Sequence, residues 1–154
     1  MSKARILFGL LAMICLSGCH TPLQWDTFKF SDPGWTVWNG QAVWRPTRSM
    51  PELSGDLTVA VNTNGQAFVQ FTKTLPFATA RLDGKRWQIE FPAGDRLYSG
   101  RFPLPSHFGL LRLPAVATES PVGKHWTKKV DLDQWELQNV GTGETLRRSE
   151  GAHV

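Results

Sequence analysis

The residues best suited to chemistry stand near the start of the chain, in the run Leu16-Ser17-Gly18-Cys19. The small side chains of Ser17 and Gly18 let a peptidase close on the backbone. The Cys19 thiol offers a sulfur that can be alkylated before the chain is cut. The run therefore predicts covalent modification at Cys19, beside a cleavage point.

A charged opening and a short apolar segment precede this run. Lys3 and Arg5 come first, and the apolar residues 6–16 that follow are fewer than the ~20 needed to cross a bilayer. This pattern is typical of an export signal and not of an anchor helix. An ordinary cleaved signal, in which Cys19 has no special role, stays open as the alternative.

The run that ends at Cys19 resembles the lipobox of bacterial lipoproteins. The resemblance implies a signal peptide over residues 1–18, a diacylglyceryl thioether on Cys19 and an acyl chain such as palmitate on its new amine. At about 0.8 kcal/mol per buried CH₂, three chains would hold the protein firmly to a membrane. Because His20 and not Asp follows Cys19, the resemblance also implies delivery to the outer membrane of the cell envelope, facing the periplasm.

Composition limits the rest of the chain. Removing residues 1–18 from the 154 leaves 136 with no cysteine besides Cys19, because Cys15 lies in the signal. An oxidising compartment could then form no disulfide within the chain, and this length is about one domain. The net charge of +4 falls to +2 when Lys3 and Arg5 are lost, which is too weak to predict a nucleic-acid partner.

The mature chain divides into a tether and a domain. Pro22, Pro33 and Gly34 interrupt residues 19–34, which show no sustained period and are interpreted as a lipidated tether. At full extension ~15 residues reach roughly 50 Å. Turn signals every 8 to 12 residues or so, together with a high tryptophan content, predict antiparallel β-structure over residues 35–154.

Two dipeptides mark predicted hairpins. Asn64-Gly65 suits a two-residue turn that pairs residues 57–61 with 68–72. In that register Phe68 shares a face with Leu57, Val59 and Val61, while Val69 and Phe71 lie on the other face. This part of the sheet is then apolar on both sides and must be covered twice.

Asp83-Gly84 marks the second hairpin, between residues 77–82 and 85–91. A two-residue turn would set Arg81 opposite Arg86, and a longer loop with shifted pairing stays open because like charges repel across strands. The alternation leaves room over small residues, which predicts a ligand cavity; plain core packing is the open alternative. The cavity residues predicted on this hairpin are Ala78, Ala80, Trp87, Ile89 and Phe91.

The segment over residues 103–121 holds four prolines and cannot pair continuously in a sheet. Ser106 is a candidate cap for one or two helical turns that end near Pro114. Phe108 and Leu111 would then face the sheet and complete the cavity. A movable lid and a fixed loop that plugs one end of a barrel both fit this pattern.

These features together predict a mainly β fold, a curved antiparallel sheet that forms a half-barrel or a small closed barrel with a short helical or proline-rich cover. The lipobox, the tryptophan-rich hairpins and the run at residues 80–87 resemble the LolA/LolB superfamily of lipoprotein-localisation factors, over roughly residues 34–148. The resemblance implies a half-barrel that binds the acyl chains of lipoproteins. A structural or adaptor lipoprotein that docks another envelope protein is the alternative.

Catalytic and metal-binding groups are sparse, and the sequence has no Gly-x-Ser-x-Gly motif. Only convergence in the fold, as of His107 with Asp95 or Glu90, would assemble a catalytic set. No Cys or paired-His spacing supplies metal ligands. We therefore expect no enzyme activity, no metal and no cofactor. The four histidines are isolated in sequence: His20, His107, His125 and His153.

Overall fold

The computed structural model describes Trp25, residues 27–131 and residues 134–148. The lipobox and Cys19 lie outside the described residues. The described part contains short helical segments at Pro92–Gly94, Gly109–Arg112 and Leu113–Ala117, the last of which is α-helix α1. The strands are β1 (Trp35–Arg45), β2 (Leu53–Asn62), β3 (Ala67–Thr72), β4 (Pro76–Leu82), β5 (Arg86–Phe91), β6 (Arg96–Arg101), β7 (Trp126–Asp131), β8 (Gln134–Asn139) and β9 (Thr145–Arg148).

All nine strands join one antiparallel sheet in the order β6-β5-β4-β3-β2-β1-β9-β8-β7. Neighbours up to β1 follow chain order because short hairpins connect them. β6 and β7 form the two edges, so within the described residues the sheet is open and is not closed into a barrel. The prediction of a mainly β fold with a curved antiparallel sheet and a short helical cover is confirmed, in its open form.

The predicted register of the first hairpin is wrong by one residue. Val61 pairs with Ala67 and Val59 with Val69, so Phe68 opposes Ala60 and faces away from Val59. Side chains of the turn explain the shift, because Asn64 Oδ1 accepts the backbone N–H of Gln66 at 2.9 Å and Gly65 takes a φ of +87°. The loop is therefore one residue longer than a two-residue turn, and the slip moves every side chain of the strand to the other face.

The second hairpin keeps its predicted faces with a shift of two residues. Arg81 pairs with Gln88 and not with Arg86, so the pairing is shifted but the longer loop of the alternative is wrong. Gly84 and Lys85 form the loop, because the Asp83 N–H donates to the Arg86 carbonyl at 3.1 Å. The Asp83 carboxylate also accepts the backbone N–H of Arg86 at 2.7 Å and forms an ion pair with its guanidinium. The Asp83 carboxylate therefore stabilises the turn through its contacts with Arg86.

The core lies between the concave face of the sheet and the segment over residues 103–122, which is called the cover below. Trp44, Leu57, Val69 and Ile89 are buried side chains of the sheet face. The cover places a second layer against them, with buried side chains from both of its helical segments. Cover residues in this layer are Leu110, Leu111, Leu113, Val116 and Val122.

An aromatic cluster covers part of the convex face. The Phe68 ring lies 6.2 Å from that of Phe28 and 5.2 Å from that of Phe30, centroid to centroid. Both phenylalanines also contact Trp35, each at 5.3 Å. The described end of the predicted tether therefore lies against the sheet, and the second apolar face that the sequence predicted is covered by the chain itself.

Candidate functional site: a cleft between strand β1 and the cover

The pairing of strand β1 changes along its length. β1 pairs with β2 from Trp35 to Trp44, whereas β9 pairs only with Ala42–Arg45. Within the described residues, no strand pairs with positions 35–41 on the β9 side. The first half of β1 therefore presents a backbone edge where its second half is bonded on both sides.

A cleft of about 550 Å³ lies at this split. Its inner wall consists of buried side chains, Leu57 and Val59 of β2 and Leu113 and Val116 of the cover. The volume falls in the usual range for small-molecule sites, roughly 300–1,000 Å³. The remaining lining residues are Val37, Trp38, Asn39, Gly40, Gln41, Ala117, Glu119, Val130, Gln134, Trp135 and Arg148.

Exposed apolar side chains stand at the mouth of the cleft, among polar ones. Trp38 is 39% exposed and Val130 is 52% exposed, and both line the cleft. Gly40 lies on the floor beside Trp38, and a Cβ built there meets no atom within 4 Å. The cleft therefore combines a buried apolar wall with an exposed mouth of mixed polarity and an open floor position.

A buried carboxylate fastens the cover to the sheet. Glu144 is 4% exposed, and its Oε1 accepts hydrogen bonds from Trp44 Nε1–H and from the Gly109 N–H, both at 2.9 Å. Burial raises the pKa of the Glu144 carboxyl, and the hydrogen bonds from Gly109, Trp44 and the Phe108 backbone lower it only in part. One acid therefore holds β1 and the cover together.

A second fastening lies nearby. The Ser106 carbonyl accepts hydrogen bonds from Asn139 Nδ2–H at 2.6 Å and from Trp126 Nε1–H at 3.0 Å. The Arg112 guanidinium donates to the carbonyls of Leu104 and Pro105, and burial lowers the pKa of Arg112. The first half of the cover is thus hydrogen-bonded to β7 and β8, and Arg112 links it internally. In contrast, α1 contacts the sheet through apolar side chains beside the cleft.

The structure gathers the seven predicted cavity residues but does not line the cleft with them. Ala78, Ala80, Ile89 and Leu111 are at most 1% exposed and belong to the core cluster. Trp87, Phe91 and Phe108 pack partly buried against that cluster. The Phe108 ring lies 6.3 Å from Trp87, 6.2 Å from Phe91 and 5.2 Å from Tyr98. The seven residues therefore belong to one apolar cluster or pack against it.

The sequence interpretation missed the cleft because its walls come from distant parts of the chain. Trp38 lies on β1, Val116 on the cover and Trp135 on β8. The signals available in the sequence were Trp38 next to Gly40 on the same strand and the apolar run of the cover. Neither signal reveals that β9 pairs with only the second half of β1.

Of the described histidines, His107 contacts an aromatic ring. Its ring lies 4.3 Å from that of Phe108, centroid to centroid, with the two planes tilted by 55°. Among the described residues no three His, Cys, Asp or Glu side chains are grouped so that they could hold a metal ion. The same residues contain no helix that is long and apolar enough to span a membrane.

Comparison with known proteins gives no identification. Neither a protein-family model nor a curated protein sequence matches this chain.

Proposed function

We propose that the protein is a lipid-anchored envelope lipoprotein whose cleft binds an acyl chain, free or attached to another lipoprotein, as a carrier or acceptor of the LolA/LolB type. The proposal rests on the cleft between β1 and the cover, whose apolar wall comes from β2 and α1. Leu57, Val59, Leu113 and Val116 give it a wall without charge. A hydrocarbon chain gains free energy by leaving water for such a wall, about 0.8 kcal/mol per buried CH₂.

The cleft also carries polar and charged residues. Asn39, Gln41, Glu119, Gln134 and Arg148 are exposed and line it. Ligand sites commonly combine an apolar wall with a few polar groups that fix orientation. We expect the polar end of an acyl ligand to meet these residues while its hydrocarbon lies against Val59 and Val116.

A direct binding test uses the chain from His20 onward, which leaves out the signal and Cys19. The core cluster lies wholly between Ala42 and Leu146, so this shortening removes none of it. We expect the purified protein to carry lipid detectable by mass spectrometry and to bind a fluorescent fatty acid. Gly40→Phe should weaken that binding at least about tenfold, a change of ~1.4 kcal/mol, by filling the cleft floor.

Gln138→Phe is the matched control, because Gln138 is exposed on β8 and does not line the cleft. It should leave fatty-acid binding unchanged. Protein that carries no lipid and rejects fatty acids, with a folded circular dichroism spectrum, would overturn the acyl-chain proposal.

The adaptor function is a second candidate because of the backbone edge of β1. Unpaired strand edges accept extended peptides through main-chain hydrogen bonds. Positions 35–41 offer such an edge beside the exposed side chains of Val37 and Trp38. Capture of a specific envelope protein that survives Gly40→Phe, together with absence of lipid, would favour this candidate.

A further inference from the structure

Cations gather at one end of the sheet on its convex face. Arg86 of β5 and Arg101 of β6 are direct cross-strand partners, and Lys85 lies in the adjoining turn. Together with Asp83 they line a recess of about 460 Å³. The group Lys85, Arg86 and Arg101 is called the basic tip below. It lies at the β6 edge of the sheet.

Within the described residues, the three cations of the basic tip have one ion-pairing carboxylate, that of Asp83. Asp83 forms an ion pair with Arg86, whereas neither Lys85 nor Arg101 has an ion-pair partner among the described residues. Like charges directly opposite each other destabilise an antiparallel pair. An external anion would therefore relieve the repulsion between Arg86 and Arg101.

An exposed aromatic side chain adjoins the cations. The Phe102 N–H donates to the Lys85 carbonyl at 3.0 Å, and the Phe102 side chain is 43% exposed. Basic residues combined with an exposed aromatic ring suit the surface of an anionic bilayer, where phosphates meet the cations and rings lie at headgroup depth.

The path of the chain brings this end close to the predicted anchor. The Arg86 guanidinium lies over the Trp25 ring, 5.5 Å from its centroid. Trp25 is six positions after Cys19, which is at most ~20 Å of extended chain. The headgroup layer takes up ~5–8 Å of this length. The convex aromatic cluster therefore shortens the tether well below the reach that residues 19–34 would have if extended.

We propose that the basic tip docks on anionic phospholipid headgroups of the membrane that holds Cys19, so that the β6 edge faces the bilayer and the β7 edge faces away. This inference rests on the proposed lipidation of Cys19. β1 lies five strands from β6, roughly 24 Å along the sheet. The docked orientation keeps the cleft in the aqueous space.

The test uses the full chain, expressed with its signal, purified from membranes and reconstituted in vesicles of phosphatidylcholine with phosphatidylglycerol that carry a headgroup quencher. A bimane label is placed at Ser99→Cys on β6 or at Thr127→Cys on β7, both exposed positions. The two edge strands are eight spacings apart, roughly 38 Å along the sheet. We expect loss of fluorescence at position 99 and none at position 127.

Charge variants test the contact itself. Lys85→Gln with Arg101→Gln should reduce the quenching at position 99, as should vesicles of phosphatidylcholine alone. The control pair Lys124→Gln with Lys129→Gln removes the same charge from exposed positions elsewhere and should leave the quenching unchanged. Inorganic phosphate added to anionic vesicles should not abolish the quenching, because the tether keeps anionic headgroups at a high local concentration beside the basic tip.

The outcomes separate the two proposals. A chain that does not sediment with vesicles contradicts lipidation at Cys19 and, with it, the docked orientation. A chain that sediments but is quenched equally at both edges, or equally with and without phosphatidylglycerol, overturns the docking of the basic tip alone.

Discussion

Trp44 on strand β1 donates its indole Nε1–H to Oε1 of Glu144 at 2.9 Å, in a buried contact between residues 100 positions apart. The same oxygen accepts the Gly109 N–H, so the acid joins the sheet to the cover. Unpaired buried donors cost about 1–3 kcal/mol each. Loss of this acceptor should therefore weaken the attachment of the cover to the sheet.

Glu144→Ala should lower the free energy of unfolding by about 2–5 kcal/mol, because it leaves two buried donors without an acceptor. Glu144→Gln keeps an acceptor oxygen and should lose much less. Chemical denaturation with urea measures both variants. Equal losses for Ala and Gln would show that the acceptor oxygen is not what matters.

The stability should also depend on pH through this residue. Burial raises the folded-state pKa of Glu144 above its ordinary 4.5, so the folded protein binds more protons than the unfolded chain above that pH. The contribution of Glu144 to the free energy of unfolding is fully present below pH 4.5, and it is lost as pH rises through the folded-state pKa. Glu144→Gln should remove this fall, which unfolding curves across the pH range will show.

Asp83 affects the stability in a different pH range from Glu144. Burial opposes its ionisation, but hydrogen bonds from Arg86 and Lys85 and the Arg86 charge outweigh burial and hold the pKa of Asp83 below its ordinary 3.8. Its contribution to stability is present above pH 3.8 and is lost as pH falls further. A slope that persists above pH 4.5 in Glu144→Gln would therefore point to another group.

Gly100 is required on β6 because Trp87 lies across it. A Cβ at Gly100 would stand 2.7 Å from Cζ2 of Trp87, whose Nε1–H is bonded to the Arg101 carbonyl. Gly100→Ala should lower the free energy of unfolding by about 1–3 kcal/mol through overpacking. Gly40→Ala is the matched strand control, meets no atom within 4 Å and should cost nothing. Similar melting temperatures for the two variants would contradict this packing.

Phe68 holds the segment before β1 against the convex face. Phe68→Ala should release that segment, because both Phe28 and Phe30 lose a ring contact. Limited trypsin digestion at Lys29 should become faster, while Phe102→Ala, which removes an exposed ring elsewhere, should leave its rate unchanged. An unaltered rate of cleavage in Phe68→Ala would mean that the cluster does not restrain the segment.

The sequence predicts the local parts of this fold well, since hairpins are decided by neighbouring residues. Asp83-Gly84 marks a turn because Asp83 caps it and Gly84 tolerates a positive φ of 81°. The same reasoning misses the register at Asn64-Gly65 by one residue, because two asparagine side chains stabilise a longer loop. That single slip decides that Phe68 belongs to the convex cluster and not to the core.

Long-range features escape sequence reasoning for a different reason. No local pattern in the sequence marks Glu144, and only the fold brings it beside Trp44 and Gly109. The cleft likewise depends on where β9 stops pairing with β1, which no local pattern encodes. The alternation at Trp87 and Ile89 described a real apolar face, which packs in the core cluster with residues of the cover.

The most direct measurement of the central claim places a photo-crosslinking phenylalanine analogue at Trp38, the exposed aromatic residue at the mouth of the cleft, in the full chain inside cells. The matched position is Gln138, exposed on β8 and outside the cleft. We expect irradiation to give adducts at position 38 whose mass is that of an acyl lipid or a lipidated protein, and none at position 138. Adducts at position 38 that consist only of unlipidated protein, or no adduct at all, would contradict acyl-chain binding.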